Sequence, residues 1–128
     1  AMELRNNGKE TIMVHADRSK VTQILYNLII NSIYYGSDNG KTIVEITPNK
    51  TKIYIKVIDN GPGIEPQHLS RLFERFYRVE KSRVRNKGGS GIGLAIVKHI
   101  VEGHKQTIKV ESVVGKGTTF TFTLPKKL

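Results

Sequence analysis

The chain has 128 residues, 38% of them hydrophobic, the size of one domain with a single two-layer core. It contains no apolar run near the roughly 20 residues a membrane-spanning helix needs, and without cysteine it has neither disulfides nor thiolate metal sites, which suits a reducing compartment. A formal net charge of +10 and a pI near 9.9 ask for an anionic partner, either nucleic acid or a phosphorylated small molecule.

Ala1 ahead of Met2 reads as a cloning remnant on a piece of something longer, and residues 1–10 as a polar lead-in to a short strand, Thr11 to His15. Asp17 is a natural N-cap for a helix expected to reach about Tyr35. Val21, Ile24, Leu25, Leu28 and Ser32 follow the spacing of one buried stripe, with Asn27 and Asn31 stacked on a neighbouring face. Two carboxamides in so apolar a setting need partners, from the protein or from a ligand. Gly36, Asp38, Asn39 and Gly40 end the helix.

Ile43, Val44 and Ile46 begin a strand, Pro48-Asn49-Lys50 turns, and Lys52 to Ile58 alternates, which predicts a hairpin. Asp59-Asn60-Gly61-Pro62-Gly63 breaks it. Pro66 to Phe76 is expected as a short helix with Leu69, Leu72, Phe73 and Phe76 on one side, and Tyr77 to Ser90 as a mobile loop. Arg71, Arg75, Arg78, Lys81, Arg83, Arg85 and Lys87 crowd this region between two glycine-rich segments, which fits a small phosphorylated ligand at least as well as a duplex. Gly91 to Gly103 is a helix apolar over most of its surface and ended by Gly103. Thr107 to Val113 and Thr118 to Leu124 form a second hairpin across Gly115-Lys116-Gly117. The order β, α, β, β, α, α, β, β predicts an α+β two-layer sandwich. Its sheet is mixed and mostly antiparallel, about five strands, covered on one face by three helices.

Gly88-Gly89-Ser90-Gly91-Ile92-Gly93-Leu94 runs into a helix, whose free amides and dipole make an anion site suited to phosphate. The glycine spacing differs from both the dinucleotide fingerprint and the P-loop, and a flexible loop ending in close helix packing is the other reading. Asp59-x-Gly61-x-Gly63 at a strand end is either an ordinary acidic turn or an isolated acceptor for an exocyclic amine, such as that of adenine. His15, His68, His99 and His104 have no zinc-like spacing, and there is no nucleophile elbow.

Together these segments resemble the catalytic ATP-binding domain of bacterial two-component sensor histidine kinases, whose nucleotide fold is shared with gyrase, the mismatch-repair ATPases and the heat-shock chaperone ATPases. Asn27-Leu28-Ile29-Ile30-Asn31 is similar to the asparagine box, Asp59 to Ile64 to the first glycine box, and Leu72 to Arg78 to the phenylalanine box. Gly89 to Leu94 is similar to the second glycine box and Gly115 to Phe120 to the closing hairpin, so the likeness covers about Thr11 to Leu124.

The resemblance implies roles. Asn31 would coordinate Mg2+ with ATP phosphates and water completing the shell, Asn27 would sit beside the same phosphates, and Tyr35 would flank the nucleotide. Asp59 would accept the adenine amine, helped by Thr118 through water, while Gly61, Gly63 and Ile64 pass close to the base. The amides of Gly91, Ile92, Gly93 and Leu94 would hold the phosphates, with Gly89, Ser90, Tyr77 and Arg78 in a lid over ATP and Arg78 reaching the γ-phosphate. Asn27, Asn31 and Arg78 would be the catalytic set. Tyr34 departs from the many members that carry a basic residue there, often Lys.

The implied activity is donation of the γ-phosphate of Mg-ATP to a histidine on a separate dimerisation and phosphotransfer domain, with a response regulator receiver downstream. The implied location is the cytoplasmic part of a membrane-anchored sensor, with neither nucleic acid nor membrane touching the domain. No histidine here is followed by an acidic residue as the family's acceptor is. Rival readings are an ATP hydrolase or serine kinase of the same fold, a degenerate ATP-binding scaffold, and a basic nucleic-acid module. Hydrolases place a glutamate base where this chain has Asn27.

Overall fold

The computed structural model describes residues 2–6, 14, 16–35, 40–75 and 93–126. Their elements are β1 (Met2–Asn6), α1 (Arg18–Tyr35), β2 (Thr42–Pro48), β3 (Lys52–Asp59), α2 (Pro66–Leu69), α3 (Gly93–Gly103), β4 (Ile108–Val113) and β5 (Gly117–Pro125). The five strands make one sheet in the order β1-β2-β3-β5-β4, parallel only between β1 and β2. This is the expected mixed, mostly antiparallel sheet.

The edge strand differs from expectation. It lies at Met2–Asn6, inside the stretch read as a lead-in, and of residues 11–15 Val14 is described, in an isolated bridge to Lys126. An edge strand pairs on one side only, so five residues with polar ones among them suffice when β2 supplies the partner.

Helix α1 starts as the sequence predicts. The Asp17 carboxylate accepts from the amides of Ser19 at 3.0 Å and Lys20 at 3.2 Å and from the Ser19 hydroxyl at 2.9 Å, and the Asp17 carbonyl accepts the first helical bond from Val21. These donors, the Lys20 amide foremost and the Ser19 hydroxyl next, hold the carboxyl below its usual range. The Asp17 amide donates to His104 Nε2 at 3.1 Å, while His104 Nδ1 lies 2.9 Å from the Ile100 carbonyl. Both contacts are hydrogen bonds only when the proton sits on Nδ1, so a neutral imidazole ties the start of α1 to the end of α3.

The helix expected over 66–76 is shorter. Pro66 opens a single turn, after which Arg71 and Glu74 donate three residues back, to His68 and Arg71, in successive turns. These turns still bury Leu72 and set Phe73 edge-on to Phe120, centroids 6.2 Å apart. Phe76 lies outside the described residues.

Helix α3 ends at Gly103, but the left-handed residue that closes it is Lys105, at φ 59°. The Gln106 amide reaches back to the Val101 carbonyl and the Lys105 amide to that of Glu102, which is the Schellman arrangement. The glycine signal therefore sits two residues before the position that needs it.

The core lies between sheet and helices. Ile24 and Leu28 of α1 and Val97, Ile100 and Val101 of α3 meet Val44, Ile53, Ile55, Val57, Phe120, Phe122 and Leu124. Each such side chain taken fully from water contributes roughly 1.5 to 3 kcal/mol before entropy is subtracted. Among the described residues no helix is long and apolar enough to cross a membrane.

The Lys105 geometry makes a prediction about stability. A side chain in the left-handed region costs roughly 1 to 2 kcal/mol, part of which glycine returns through a freer unfolded chain, so Lys105→Gly should stabilise the domain by about 0.5 to 1 kcal/mol. Urea unfolding would show a raised midpoint at unchanged slope, and a lowered midpoint would refute the account.

Candidate functional site

Strand alternation builds one end of the site. Along β3, Ile53, Ile55 and Val57 face the helices, and Asp59 is the next residue in that phase. In register beside Asp59 stand Thr42 of β2 and Thr118 of β5, and beside Thr118 stands Ser112 of β4. Four neighbouring strands therefore end in a polar row, Thr42, Asp59, Thr118, Ser112, where the adjoining row reads Val44, Val57, Phe120, Val110. The row is half-buried or buried throughout.

Its groups are paired. Thr42 Oγ1 lies 2.8 Å from Ser32 Oγ of α1, with both residues buried. Asp59 Oδ1 accepts from the Gly61 amide at 2.9 Å. Burial is the largest influence on the Asp59 carboxyl and raises its pKa above the ordinary value, against the lowering effects of the Gly61 and Thr118 amides and the Ser32 hydroxyl. Ser112 Oγ accepts from the Ile64 amide at 2.7 Å, donates to the Gly117 carbonyl at 2.9 Å and lies 2.8 Å from Thr118 Oγ1.

The loop after β3 is held to the β4–β5 turn by missing side chains as much as by bonds. Gly63 has φ +80°, and a Cβ there would strike the Val113 carbonyl and come within 2.9 Å of Val114 Cα. At Gly117, φ +142°, a Cβ would run into the Asp59 carbonyl. The Gly115 amide donates to the Pro62 carbonyl at 2.8 Å, and Asn60 Oδ1 accepts from the Lys41 amide at 2.7 Å. Gly63 thus has a packing reason of its own, since the space its side chain would need is taken by the hairpin.

The other end of the site lies between α1 and α3. Asn27 is half-buried, and its Oδ1 is 3.8 Å from where a Cβ on Gly93 would stand, which sets the carboxamide beside the first residue of α3. Asn31 follows one turn on, also half-buried. Neither carboxamide makes a side-chain hydrogen bond among the described residues, so their polar atoms remain available to a ligand. Gly93 and Leu94 open α3, where first-turn amides have no partner within the helix, and that turn has no acidic residue to compete for an anion.

Of the predicted set, Asn27, Asn31, Asp59, Gly61, Gly63, Ile64, Gly93, Leu94 and Thr118 are placed in these two clusters. Tyr77, Arg78, Gly89, Ser90, Gly91 and Ile92 lie outside the described residues, as does the side chain of Tyr35. Ser32, Thr42 and Ser112 are additions that sequence reasoning missed. Their signal was present: Thr42 and Ser112 are each a hydroxyl in phase with an apolar strand row, and Ser32 is a hydroxyl in the apolar stripe of α1.

Comparison with known proteins bears on the family and the fold. The chain is 43% identical over 126 residues to the sensor histidine kinase WalK of Bacillus subtilis, an alignment that takes in 97% of this chain and 21% of that kinase. The chain thus spans about a fifth of the length of that relative. The mycobacterial sensor histidine kinase MprB has a solved structure that superposes with a TM-score of 0.80 at 28% identity, covering 98% of this chain and 84% of the other. A structure of the histidine kinase ThkA in complex with the response regulator protein TrrA aligns at TM-score 0.78 and 27% identity, over 98% of this chain and 34% of that one. Residues 16–128 match the histidine kinase-, DNA gyrase B- and HSP90-like ATPases, and the chain belongs to that family.

Proposed function

We propose that the chain is the catalytic domain of a sensor histidine kinase. It binds Mg-ATP between α1, α3 and the polar end of the sheet and donates the γ-phosphate to a histidine on a separate dimerisation domain of the same kinase, in the cytoplasm. The observation that carries this reading is the pair of carboxamides, Asn27 and Asn31, without a side-chain hydrogen bond among the described residues, with Asn27 beside the start of α3. A receiver domain then takes the phosphoryl group, a role supported by ThkA's complex with its regulator.

The residues present suit magnesium and ATP. A carboxamide oxygen is a hard neutral ligand, and Asn31 would hold the ion while Asn27 and the Gly93 and Leu94 amides hold the phosphates. Bound there, Mg2+ would offset phosphate charge. Arg78, with Tyr77 and the glycines ahead of α3, completes the phosphate side in this reading. At the base end Asp59 accepts from the adenine amine, and Thr118 assists.

Transfer of this kind is positioning and charge stabilisation, so no nucleophile is needed in the domain. Asn27 cannot take a proton from water, which leaves hydrolysis without a base where the related hydrolases keep one.

Asn31→Ala should abolish magnesium-dependent nucleotide binding and leave the fold intact. Titration calorimetry with a non-hydrolysable ATP analogue, with and without magnesium, checks this; binding equal to wild type would remove Asn31 from the metal.

Asp59 should show a trade between stability and binding. Its folded-state pKa is raised, so the ionised carboxylate opposes folding at neutral pH, and the opposition is relieved as pH falls through the raised value. Adenine needs the ionised form, so affinity should fall over that same window. Asp59→Asn should therefore make the free domain more heat-stable at neutral pH while weakening ATP by about 1 to 3 kcal/mol. Thermal scans and calorimetry at several pH values test both signs, and a variant that loses stability at neutral pH would contradict the first.

The deciding experiment for the activity is phosphotransfer. With radiolabelled ATP the isolated chain should take up no acid-labile phosphate and release little free phosphate, and a matched dimerisation domain should become labelled on its histidine. Rapid release of phosphate would favour the hydrolase, and failure to label any matched acceptor a nucleotide-binding scaffold.

A further inference from the structure

We propose that Ser112 sets which bases the cleft accepts, by holding the Thr118 hydroxyl with its proton turned away from Asp59. The inference rests on the nucleotide-binding reading above and concerns its base end. Ser112 Oγ carries one proton and has three polar neighbours, the Ile64 amide, the Gly117 carbonyl and Thr118 Oγ1. An amide N–H only donates and a carbonyl only accepts, so Ser112 receives from Ile64 and gives its proton to Gly117. The third contact, at 2.8 Å, is then a hydrogen bond only with Thr118 as donor.

The strand order gives this assignment its consequence. β5 lies between β3 and β4, so along the polar row Asp59 and Ser112 stand on opposite sides of Thr118. With its proton committed to Ser112, the buried Thr118 hydroxyl has only lone pairs left for anything beside Asp59. An ionised Asp59 is also an acceptor only. Two neighbouring acceptors suit an exocyclic amine, which brings two N–H bonds, reached directly or through water. A 6-oxo purine brings a carbonyl to the same place and meets lone pairs, a penalty built by arrangement rather than by size.

Without the Ser112 hydroxyl, Thr118 could rotate and donate to that carbonyl. Discrimination should then weaken, chiefly through better binding of the 6-oxo nucleotide.

The test is calorimetric titration of the chain with ATP and with inosine triphosphate. Wild type should prefer ATP. Ser112→Ala should shrink the ratio of the two affinities about three- to tenfold, the worth of one hydrogen bond, and Ser112→Thr, which keeps a hydroxyl, should restore it. A merely structural role would weaken both nucleotides alike, and an unchanged ratio overturns the inference. Should Ser112→Ala fail to fold, Thr118→Val removes the oriented acceptor itself and should lower the ratio through loss of ATP; there too an unchanged ratio overturns it. A wild-type chain that binds neither nucleotide refutes the nucleotide-binding reading, whereas one that binds ATP normally and keeps its preference without Ser112 refutes this inference alone.

Discussion

The site depends on the phase of strand alternation at one end of the sheet. Successive residues of a strand face opposite sides, so a residue in step with Ile53, Ile55 and Val57 must face the helices whatever its chemistry. Asp59 is that residue, and placing a carboxylate there costs enough solvation to raise its pKa. What keeps the cost tolerable is a set of donors aimed at it, the Gly61 amide first, then the Thr118 amide and the Ser32 hydroxyl reaching in from α1. The apolar rows give the sheet its hold on the helices, and the polar row spends part of that stability on a position where a ligand can be met.

Precision at that end comes from backbone packed against backbone. Gly63 lies against Val113 and Val114, and Gly117 against Asp59 and Asn60, at separations that exclude a Cβ. A flexible side chain can move aside, but a carbonyl in a ladder cannot, so these two glycines tie the loop after β3 to the β4–β5 turn more tightly than a surface salt bridge could. The Gly115 amide and the Ser112 hydroxyl add polar links to the same loop, at Pro62 and Ile64. Asp59 therefore stands on a rigid frame, already ordered by this packing.

Much of this was legible in the sequence, for identifiable reasons. The apolar stripe of α1, its Asp17 cap and both hairpins follow from local periodicity and local chemistry, and the structure keeps them. The failures lie where local signals compete with tertiary ones. Met2–Asn6 looks too polar for a strand until β2 is there to pair with it, and the segment after Pro66 leaves helical spacing for tighter turns that still bury Leu72. At the end of α3 the visible glycine is Gly103, yet Lys105 takes the left-handed conformation. Ser112 was passed over because a single serine in an alternating strand carries no motif. Its meaning appears only once register sets it beside Thr118.

The two ends of the site are supported by different elements, and α1 is the element common to both. Ser32 reaches toward Thr42 and Asp59 at the polar end of the sheet, whereas Asn27 lies beside Gly93 at the start of α3. Asn27 and Asn31 are four residues apart on a continuous helix, so their separation along its axis is about 6 Å and cannot drift without unwinding a turn. Ser32 is the next residue after Asn31, which links the polar end of the sheet to the start of α3 through one rigid rod. The burial of Ile24 and Leu28 then matters to both polar clusters as well as to folding, because it holds that rod in register with the sheet below. A cavity at either residue would let α1 shift, and Ser32 and Asn27 would no longer keep their places against Thr42 and Gly93 at the same time.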